Sequence, residues 1–404
     1  MRNFGFYGPL FFCGAAAIFV EWASMDHAIA RITERIRTAI AERMPLRVQG
    51  GGSKDFYGHS LQGELLNTTD LAGIRGYEPS ELVVTAGAGT ALAELETLLA
   101  EHGQCLPFEP PHFSWSGVRT ATLGGMVASG LAGPARASVG GVRDYVLGLQ
   151  MVNGKGESLT FGGQVMKNVA GYDVSRLMVG SLGTFGLLTE ISLKVLPTAP
   201  AEATLCFALP QAKALEQVHI WGGQPLPLNA SCWVRDESAS AGTQDLLFVR
   251  LRGAVAAVEA ACQTMLSDQQ GTRMDNAQAQ PDWERCRDQQ LPFFVQRPGE
   301  DMALWRISVA QTAPVLDLPW PQLVEWHGGL RWLWAPENAG AQLQQLAQSH
   351  GGNATLFVAA HAQSTGISEP FGTKNVAQAA IEQRLKECFD PHRIFNPGRM
   401  AQGV

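Results

Sequence analysis

The sequence has few cysteines, and they are not clustered. Seven occur in 404 residues, and none has the C-x-x-C spacing that zinc knuckles and iron–sulfur ligand sets use. They lie at positions 13, 105, 206, 232, 262, 286 and 388. We therefore expect reduced thiols in a cytoplasmic protein, with no metal or cluster held by cysteines of this chain.

Basic residues are also sparse. The 30 lysines and arginines are outnumbered by 37 acidic residues, which gives a formal net charge of −7 and a pI near 5.7. Without a dense basic run the chain does not match a phosphodiester backbone, so nucleic acid is not an expected partner. Hydrophobic residues make up 46% and charged residues 17%, which is typical of a globular chain whose length predicts two or three domains.

Long hydrophobic stretches are missing except at the start of the chain. There "FGFYGPLFFCGAAAIFV" is apolar over roughly 17 residues behind Arg2, which is short for a membrane-spanning helix. Glu21 interrupts the following residues, and Met25 opens an amphipathic pattern that predicts a helix over about 26–43. We interpret residues 1–24 as an extension, either a misassigned start or a disordered segment, in preference to a membrane anchor.

Two common nucleotide-binding motifs are incomplete. A Walker loop needs G-x-x-x-x-G-K-[ST], whereas the Gly154-Lys155 pair is followed by glycine and predicts a hairpin turn. Gly87 and Gly89 precede a helical pattern as in a dinucleotide-binding turn, but Leu92 stands where the third glycine of G-x-G-x-x-G belongs. The spacing of Leu92, Leu95, Leu98 and Leu99 predicts one apolar face on that helix. The sequence thus argues against an ATPase and against a Rossmann site.

Glycines are concentrated instead after a predicted strand in "MPLRVQGGGSKDF", residues 44–56. Gly50, Gly51 and Gly52 have no Cβ atoms, so the backbone amides there can point at an anion such as a diphosphate. A plain tight turn explains the same residues and is the favoured interpretation of the loop alone. A phosphate site is the alternative.

Three further stretches carry glycines and hydroxyl groups in order along the chain. They are "TATLGGMVASGLAG" at 120–133, "GGVRDYVLGLQMV" at 140–152 and "KNVAGYDVSRLMVGSLGTFGLLTEISLKVL" at 167–196. Small residues of this kind let a long flat ligand lie against the backbone. Each stretch by itself is equally compatible with ordinary loops and strands.

Together, the loop and the three stretches resemble the FAD-binding domain of the vanillyl-alcohol oxidase and p-cresol methylhydroxylase (PCMH) superfamily. In detail they are similar to the FAD-binding E subunits of bacterial glycolate oxidases, most strongly over residues 45–200 and patchily as far as "FNPGRM". The resemblance implies an α+β fold. A two-subdomain PCMH-type FAD-binding domain would cover residues 25–200, an α+β cap of antiparallel sheet and helices residues 201–345, and a C-terminal segment returning to the FAD domain residues 346–404.

The resemblance also implies where FAD binds. The glycine loop would hold the pyrophosphate, the "TLGG" stretch the phosphate and ribose, and the run from 180 to 186 the flavin, while Ile191 would lie at the adenine end and Asn396 would close over the ring. The implied residues are Gln49, Gly50, Gly51, Gly52, Ser53, Lys54, Thr122, Leu123, Gly124, Gly125, Ser129, Gly180, Gly183, Thr184, Gly186, Ile191 and Asn396. The position that carries a flavin-linking histidine in some relatives is Ser53 or Lys54, so the attachment is expected to be non-covalent.

A catalytic segment that the resemblance leads us to expect is missing. Family members that oxidise 2-hydroxy acids carry an H-x-G-D-G-N-x-H segment, whose imidazoles can take a hydroxyl proton or ligate a metal. Here the stretch reads "ATLFVAAHAQSTGISEP" and keeps only His361. We therefore assign no catalytic residue and no metal ligand. His59 and His392, the remaining candidates for linking a flavin, are interpreted as surface histidines.

The function implied by the resemblance is that of an FAD-dependent oxidoreductase subunit of glycolate catabolism. It would oxidise glycolate to glyoxylate together with a catalytic FAD subunit and an iron–sulfur subunit, and it would be inactive alone. The expected location is the cytoplasm, with the inner face of the membrane reached only through that complex. A stand-alone FAD oxidase of an alcohol or 2-hydroxy acid and a non-redox structural assembly subunit stay open as alternatives.

Tryptophan is abundant, with ten residues in the chain. Several lie in the middle region, including Trp283, and an aromatic substrate box is one interpretation of them. Packing in the core or at an interface is the favoured interpretation. The candidates for the apolar centre of an interface with partner subunits are Trp305, Trp326, Trp332 and Trp334.

Overall fold

The structure is a computed structural model, and it describes residues 13–113, 120–163, 172–236, 242–361, 370–372 and 375–401. In the first half of the chain the helices are α1 (Cys13–Glu42), α2 (Leu92–Glu101), α3 (Leu123–Ser129), α4 (Arg136–Val139), α5 (Val142–Tyr145) and α6 (Tyr172–Leu177). The strands there are β1 (Leu46–Gln49), β2 (Glu64–Asn67), β3 (Ile74–Glu78), β4 (Val83–Gly87), β5 (Gln104–Cys105), β6 (Val146–Asn153), β7 (Ser158–Gly162), β8 (Gly186–Lys194) and β9 (Leu196–Pro197).

In the second half the helices are α7 (Gln211–Gly222), α8 (Val255–Asp268), α9 (Asn276–Arg287), α10 (Pro292–Val295), α11 (Gly340–Ser349) and α12 (Val376–Phe389). The strands are β10 (Ala201–Ala208), β11 (Leu228–Asp236), β12 (Gln244–Gly253), β13 (Thr272–Arg273), β14 (Met302–Ser308), β15 (Gln322–Glu325), β16 (Leu330–Pro336) and β17 (Asn353–Val358). We refer to residues 201–358 as the cap and to the remaining described residues as the first lobe.

A small parallel sheet of β1 and β2 opens the first lobe, and α1 covers it. Apolar residues four apart on α1, such as Ile32 and Ile36, share one helical face and are buried against Leu46 of β1. The chain returns to the same place near its end, where Phe395 pairs with Leu46 in parallel. The helix predicted to begin near residue 26 already extends from Cys13.

The second subdomain of the first lobe is a five-stranded antiparallel sheet in the order β3-β4-β8-β6-β7. Leu92, Leu95 and Leu99 of α2 are buried against it, as the leucine spacing predicts. The hairpin predicted at Gly154-Lys155 joins β6 to β7. In the described part of the chain, no helix combines the length and the apolar character needed to cross a membrane.

The cap is built on an eight-stranded antiparallel sheet in the order β13-β10-β12-β11-β15-β16-β14-β17. Alternation along the strands sorts the side chains to two faces: Trp305 of β14 packs with α11, whereas its neighbour Leu304 packs on the opposite face. Helices α7 and α8 cover the rest of the outer face. The strand β17 belongs to this sheet, so the sheet extends beyond residue 345, where the sequence places the end of the cap.

The inner face of the cap sheet packs on the first lobe through a cluster that includes Tyr57 and Phe113 of that lobe. A buried ion cluster joins the two parts: Glu109 of the first lobe accepts hydrogen bonds at 2.7 Å from both Arg250 and Arg252 of β12. Burial opposes ionisation of Glu109, but the two guanidiniums outweigh it and hold the pKa of this carboxyl below its usual value. The cap is thereby fixed over the loops described next.

Candidate functional site

The glycine loop after β1 is packed tightly against the segment that leads into α3. A Cβ atom on Gly50 would lie 2.4 Å from Oγ1 of Thr122, and one on Gly51 would lie 1.5 Å from the carbonyl oxygen of Thr120. Only Gly52 of the three has a positive φ, at +73°. Glycine at 50 and 51 is therefore required by contact with neighbouring protein atoms. The binding of a diphosphate by this loop stays a prediction.

The same loop presents backbone donors. None of the N–H groups of residues 50–53 donates a hydrogen bond to another residue in the described part of the chain. The side chain of Gln49 donates to the carboxylate of Asp55 across the base of the loop. A row of adjacent unbonded amides on a constrained loop is the arrangement that binds phosphate oxygens.

The "TLGG" stretch uses its amides differently. Thr122 caps α3, because its Oγ1 accepts from the N–H of Gly125 at 3.2 Å. The N–H groups of Leu123 and Gly124 donate to backbone oxygens of the loop before α2, at 2.9 and 2.7 Å. The hydroxyl of Ser129 is buried and donates to the carbonyl of its own helix. Because these two amides are already bonded, Leu123 and Gly124 would have to contact a ligand through other atoms.

Asn396 joins the end of β1 to the loop at 180–184. Its Oδ1 accepts from the N–H of Val48 at 2.8 Å, and its Nδ2 donates to the carbonyl of Leu182 at 2.7 Å. A Cβ atom on Gly183 would lie 2.9 Å from that Nδ2, so the close approach requires glycine. Gly180, at φ +83°, lies beside the C-terminal end of α3, where a Cβ on Gly130 would be 3.2 Å from its Cα.

Lys386 of α12 supports this loop from behind. Its side chain is fully buried, and its ammonium donates to the carbonyl oxygens of Thr184 and Phe395 at 2.7 and 2.9 Å. The carboxylate of Asp390 lies 2.9 Å away and balances the charge. Burial lowers the pKa of Lys386 and Asp390 counteracts it. Sequence analysis did not single out this residue, although a lysine and an aspartate four positions apart on a helix form a recognisable pattern.

Two of the predicted site residues lie away from these loops. Gly186 begins β8, where a Cβ atom would lie 2.3 Å from Cε of Met151. Ile191 is fully buried in the core of the five-stranded sheet, with its strand paired on both sides. A contact of Ile191 with adenine stays a prediction.

The three histidines singled out in the sequence show no catalytic arrangement. His361 is 61% exposed and lies 3.4 Å from Asp301, and the residues that follow it, 362–369, are outside the described part. His392 is exposed and His59 is half-buried, with its backbone held by Arg399. Among the described residues no group of three histidine, cysteine or acidic side chains could hold a metal ion.

Arg399, from the "FNPGRM" motif, anchors the segment after the glycine loop. Its guanidinium donates to the carbonyl oxygens of Asp55 at 2.7 Å and of Lys54 at 3.3 Å, and also to that of His59. Lys54 places its ammonium 3.2 Å from Oγ of Ser53. Burial lowers the pKa of Lys54 to about 8, partly offset by the charge of Asp288. The end of the loop is thus flanked by the cations of Lys54 and Arg399.

The tryptophans of the cap are core residues. Trp283, Trp305, Trp326, Trp332 and Trp334 are between 1% and 8% exposed, which confirms core packing as their role. The prediction that four of them form the centre of a partner interface is wrong, because these side chains are already buried inside this chain.

An arginine that the sequence did not single out lies on the inner face of the cap. The guanidinium of Arg306 stacks 5.0 Å from the ring centre of Trp326 and 6.0 Å from that of Trp332. Arg136 of the first lobe lies 4.5 Å from the Trp326 ring. Arg306 forms no ion pair with a carboxylate in the described ranges. The sequence signal that could have identified Arg306 is a single charged residue at an inward-facing position of the strand "LWRIS".

Comparison with known proteins identifies the first lobe. Residues 27–162 match the model of the family described as FAD binding domain. The glycolate oxidase subunit GlcE of Escherichia coli K12 is 42% identical over 369 residues, which cover 91% of this chain and 96% of that protein. The chain belongs to the GlcE family. The resemblance read from the sequence is confirmed, and FAD is the cofactor of this domain.

More distant relatives match only part of this chain. The D-lactate dehydrogenase of Archaeoglobus fulgidus is 31% identical over 177 residues, 43% of this chain and 38% of that protein. Subunit GlcD of the glycolate oxidase of Bacillus subtilis is 31% identical over 174 residues, 42% and 36% of the two chains.

A solved structure carries the same fold. Alkyldihydroxyacetonephosphate synthase superposes with a TM-score of 0.61 at 15% identity, covering 91% of this chain and 75% of that one. At that identity the likeness shows the fold alone, and it confirms the α+β architecture with a PCMH-type FAD-binding domain and a cap. The residues present fit an FAD diphosphate, since the unbonded amides of the glycine loop lie inside the matched domain.

Proposed function

We propose that this chain is the FAD-binding subunit of a multi-subunit glycolate oxidase or dehydrogenase, which converts glycolate to glyoxylate. The observation that best supports this proposal is the similarity, over 91% of this chain and 96% of the relative, to a protein named as a subunit of glycolate oxidase. A catalytic FAD subunit and an iron–sulfur subunit would complete the complex, which would operate in the cytoplasm and reach the inner face of the membrane through its assembly.

The division of labour in this proposal rests on what the chain offers for proton transfer. Oxidation of a 2-hydroxy acid needs a base for the hydroxyl proton. His361 is what remains of the two-histidine segment, and its exposed ring faces Asp301 rather than a buried cleft. The spacing of the seven cysteines provides no iron–sulfur ligand set. Both tasks are therefore assigned to other subunits.

The residues of this chain that would hold FAD follow from the geometry. The amides of residues 50–53 would donate to the diphosphate, and Lys54 would add a positive charge at their edge. Asn396 and Lys386 would keep the loop at 180–184 in place beneath the flavin. Bound FAD supplies the acceptor for a pair of electrons.

Attachment of FAD is proposed to be non-covalent, because Ser53 and Lys54 offer no imidazole at the loop. The nearest histidine in sequence is His59, which lies beyond the loop with its backbone bonded to Arg399. Acid denaturation of the purified yellow protein should release all of the chromophore into the supernatant. Flavin fluorescence that remains with the polypeptide on a denaturing gel would contradict this. The same extraction measures FAD per chain, and a value near zero would favour the non-redox assembly subunit.

One observation favours a second candidate function, a stand-alone 2-hydroxy acid oxidase. Arg306 is a half-buried cation on the face of the cap that meets the first lobe, and its contacts are aromatic rings. A guanidinium held in this way can bind a carboxylate in a bidentate manner. In this alternative, Arg306 would orient the substrate carboxylate in this chain itself.

Dye reduction with glycolate separates the two functions. We expect the isolated holoprotein to reduce an artificial electron acceptor negligibly and the mixture with both partner chains to turn over. Robust turnover by the single chain would overturn the subunit proposal. Arg306→Met is then tested in whichever preparation oxidises glycolate, the single chain or the mixture. It should lower kcat/KM at least tenfold only if Arg306 binds substrate. The matched control is Arg297→Met, since Arg297 also stacks on a cap tryptophan but lies at the surface.

A further inference from the structure

A cavity lies in the cap, apart from the glycine loops. It measures about 670 Å³ and lies between the inner face of β11 and β12 and the helices α9 and α10. None of its lining residues belongs to the loops at 49–54, 120–130 or 180–184. We propose that this cavity binds an uncharged aromatic compound of two or three rings. Its volume is within the range of small-molecule sites.

Aromatic rings form most of the wall. Phe248, Trp283, Phe293 and Trp334 line the cavity, and the flexible side chain of Met274 completes that side. The indole N–H groups are already used: that of Trp283 donates to Thr204 at 2.9 Å, and that of Trp334 donates to the carbonyl of Phe293 at 2.8 Å. These rings therefore offer faces and edges to a ligand rather than hydrogen bonds.

Four charged residues line the mouth, namely Arg235, Asp236, Asp282 and Arg285, and each already has an interaction within this chain. Arg285 pairs with Asp282 at 2.8 Å, and both side chains are about half exposed, so the cavity opens to solvent along this edge of α9. Arg235 pairs with Asp245 at 2.8 Å. A charged ligand would have to lose its hydration without gaining a new counter-ion, which is unfavourable. The ligand is thus expected to be neutral.

The floor of the cavity is polarizable, because two thiol groups line it. Cys232 and Cys286 line it, and the thiol of Cys286 donates to Glu325 at 3.3 Å. Glu325 lies opposite Cys232 in the strand register and also accepts from Trp332 at 2.7 Å. A hydrogen bond with Cys232, together with burial, raises the pKa of the Cys286 thiol well above its usual value, and burial raises the pKa of Glu325 to about 7. Thiols against aromatic rings favour a flat apolar ligand.

Equilibrium dialysis of the purified full-length holoprotein tests the proposal with two probes. N-phenyl-1-naphthylamine is neutral, and 8-anilino-1-naphthalenesulfonate has a similar ring system with one negative charge. We expect one equivalent of the neutral probe to bind and the sulfonate to bind at least tenfold more weakly. Equal affinities would overturn the uncharged class. Because dialysis measures no turnover, its outcome is independent of the glycolate proposal.

Two variants locate the bound probe. Ala279→Phe fills the cavity from α9 and should weaken binding at least tenfold, whereas Ala277→Phe on the exposed side of the same helix should not. Phe293→Leu keeps most of the wall but removes a ring, and it should weaken binding at least threefold, with the exposed Val295→Leu as its control. If Ala279→Phe does not fold, Phe293→Leu decides. Unchanged affinity in the folded cavity variants would overturn the site.

Discussion

The first lobe and the cap build their sites in opposite ways. Around the glycine loop the important atoms belong to the backbone: unbonded amides at 50–53 and close approaches that only glycine permits. In the cap the important atoms belong to side chains on strands, such as Arg306 between two indoles and Glu325 beneath Trp332. Consequently, substitutions in the first lobe should act mainly by changing the shape of the backbone site. Substitutions in the cap should act mainly by changing the chemical group that a side chain presents.

Some side chains also support the backbone site of the first lobe, and the buried Lys386 predicts the largest effect. Lys386→Met removes the buried ammonium that holds two backbone carbonyls and leaves Asp390 without its cation. We expect the free energy of unfolding to fall by about 3–5 kcal/mol, as for other broken buried ion pairs. Urea denaturation measures this. The control is Lys213→Met, because that lysine pairs with Glu216 at the surface and should contribute under about 1 kcal/mol. A loss as small as that of the control would show that α12 does not support the loop.

Glu325 gives the sharpest test of the cap. Its pKa is raised from 4.5 to about 7, chiefly by burial, so between these values the folded protein keeps a proton that the unfolded chain has released. Stability from this group is therefore complete below about pH 4.5 and falls as the pH rises to 7, by about 3 kcal/mol in total. Glu325→Gln removes the titration and should become more stable relative to the native protein as pH rises.

Denaturation at pH 5 and pH 8 checks the slope for Glu325→Gln. The exposed Glu216→Gln serves as the control, and its difference from the native protein should stay constant over this range. A constant difference for Glu325→Gln as well would mean that the carboxyl ionises normally and that the cap does not respond to this group.

Shape is the variable at Gly51. Gly51→Ala adds only a Cβ atom, but that atom would meet the carbonyl oxygen of Thr120, and the loop must move. We expect a loss of about 1–3 kcal/mol in stability, as for other overpacked sites, together with reduced FAD per chain. Gly76→Ala is the matched control, since a Cβ there meets nothing within 4 Å. Equal melting temperatures and FAD contents for the two variants would contradict the tight contact.

The smallest effect is expected for the side chain of Ser53, because the loop at 50–53 would bind FAD through its backbone amides. Ser53→Ala should alter stability by under about 0.5 kcal/mol and weaken FAD binding by less than about tenfold, because the loop binds through amides. Ser53→Asp places a negative charge beside the diphosphate and should weaken FAD binding much more. Titration of the apoprotein with FAD gives both values. Similar affinities for the two variants would place the diphosphate elsewhere.

The ordered glycine stretches carried most of what could be predicted from the sequence. Because backbone function depends on local residue type, the loop after β1, the turn at 154–155 and the leucine face of α2 were readable. The reason for Gly51 was not, since Thr120 lies far away in sequence. Strand β3 was not predicted from the sequence, because "GIRGYE" contains two glycines and charged residues. It forms a strand by pairing with β4.

The side chains of the cap could not be placed in the same way. Whether Arg306 faces solvent or the first lobe depends on the register of β14 with β16 and β17, which joins residues far apart in the chain. The tryptophans show the same dependence, because composition alone allows either a core or an interface and only the sheet pairing buries them. Strand β17 joins the cap through that pairing as well, and no local pattern fixes the end of a sheet.

The bond between Val48 and Asn396 spans 348 positions of the chain, and it has a consequence for biosynthesis. At about 5–20 residues per second, a ribosome needs roughly 17–70 s to proceed from the first of these residues to the second. Throughout that time the nascent glycine loop lacks both Asn396 and Lys386, and it exposes the apolar side of β1 that Phe395 later covers. We therefore expect the contacts that complete the loops around the FAD site to form only near the end of synthesis.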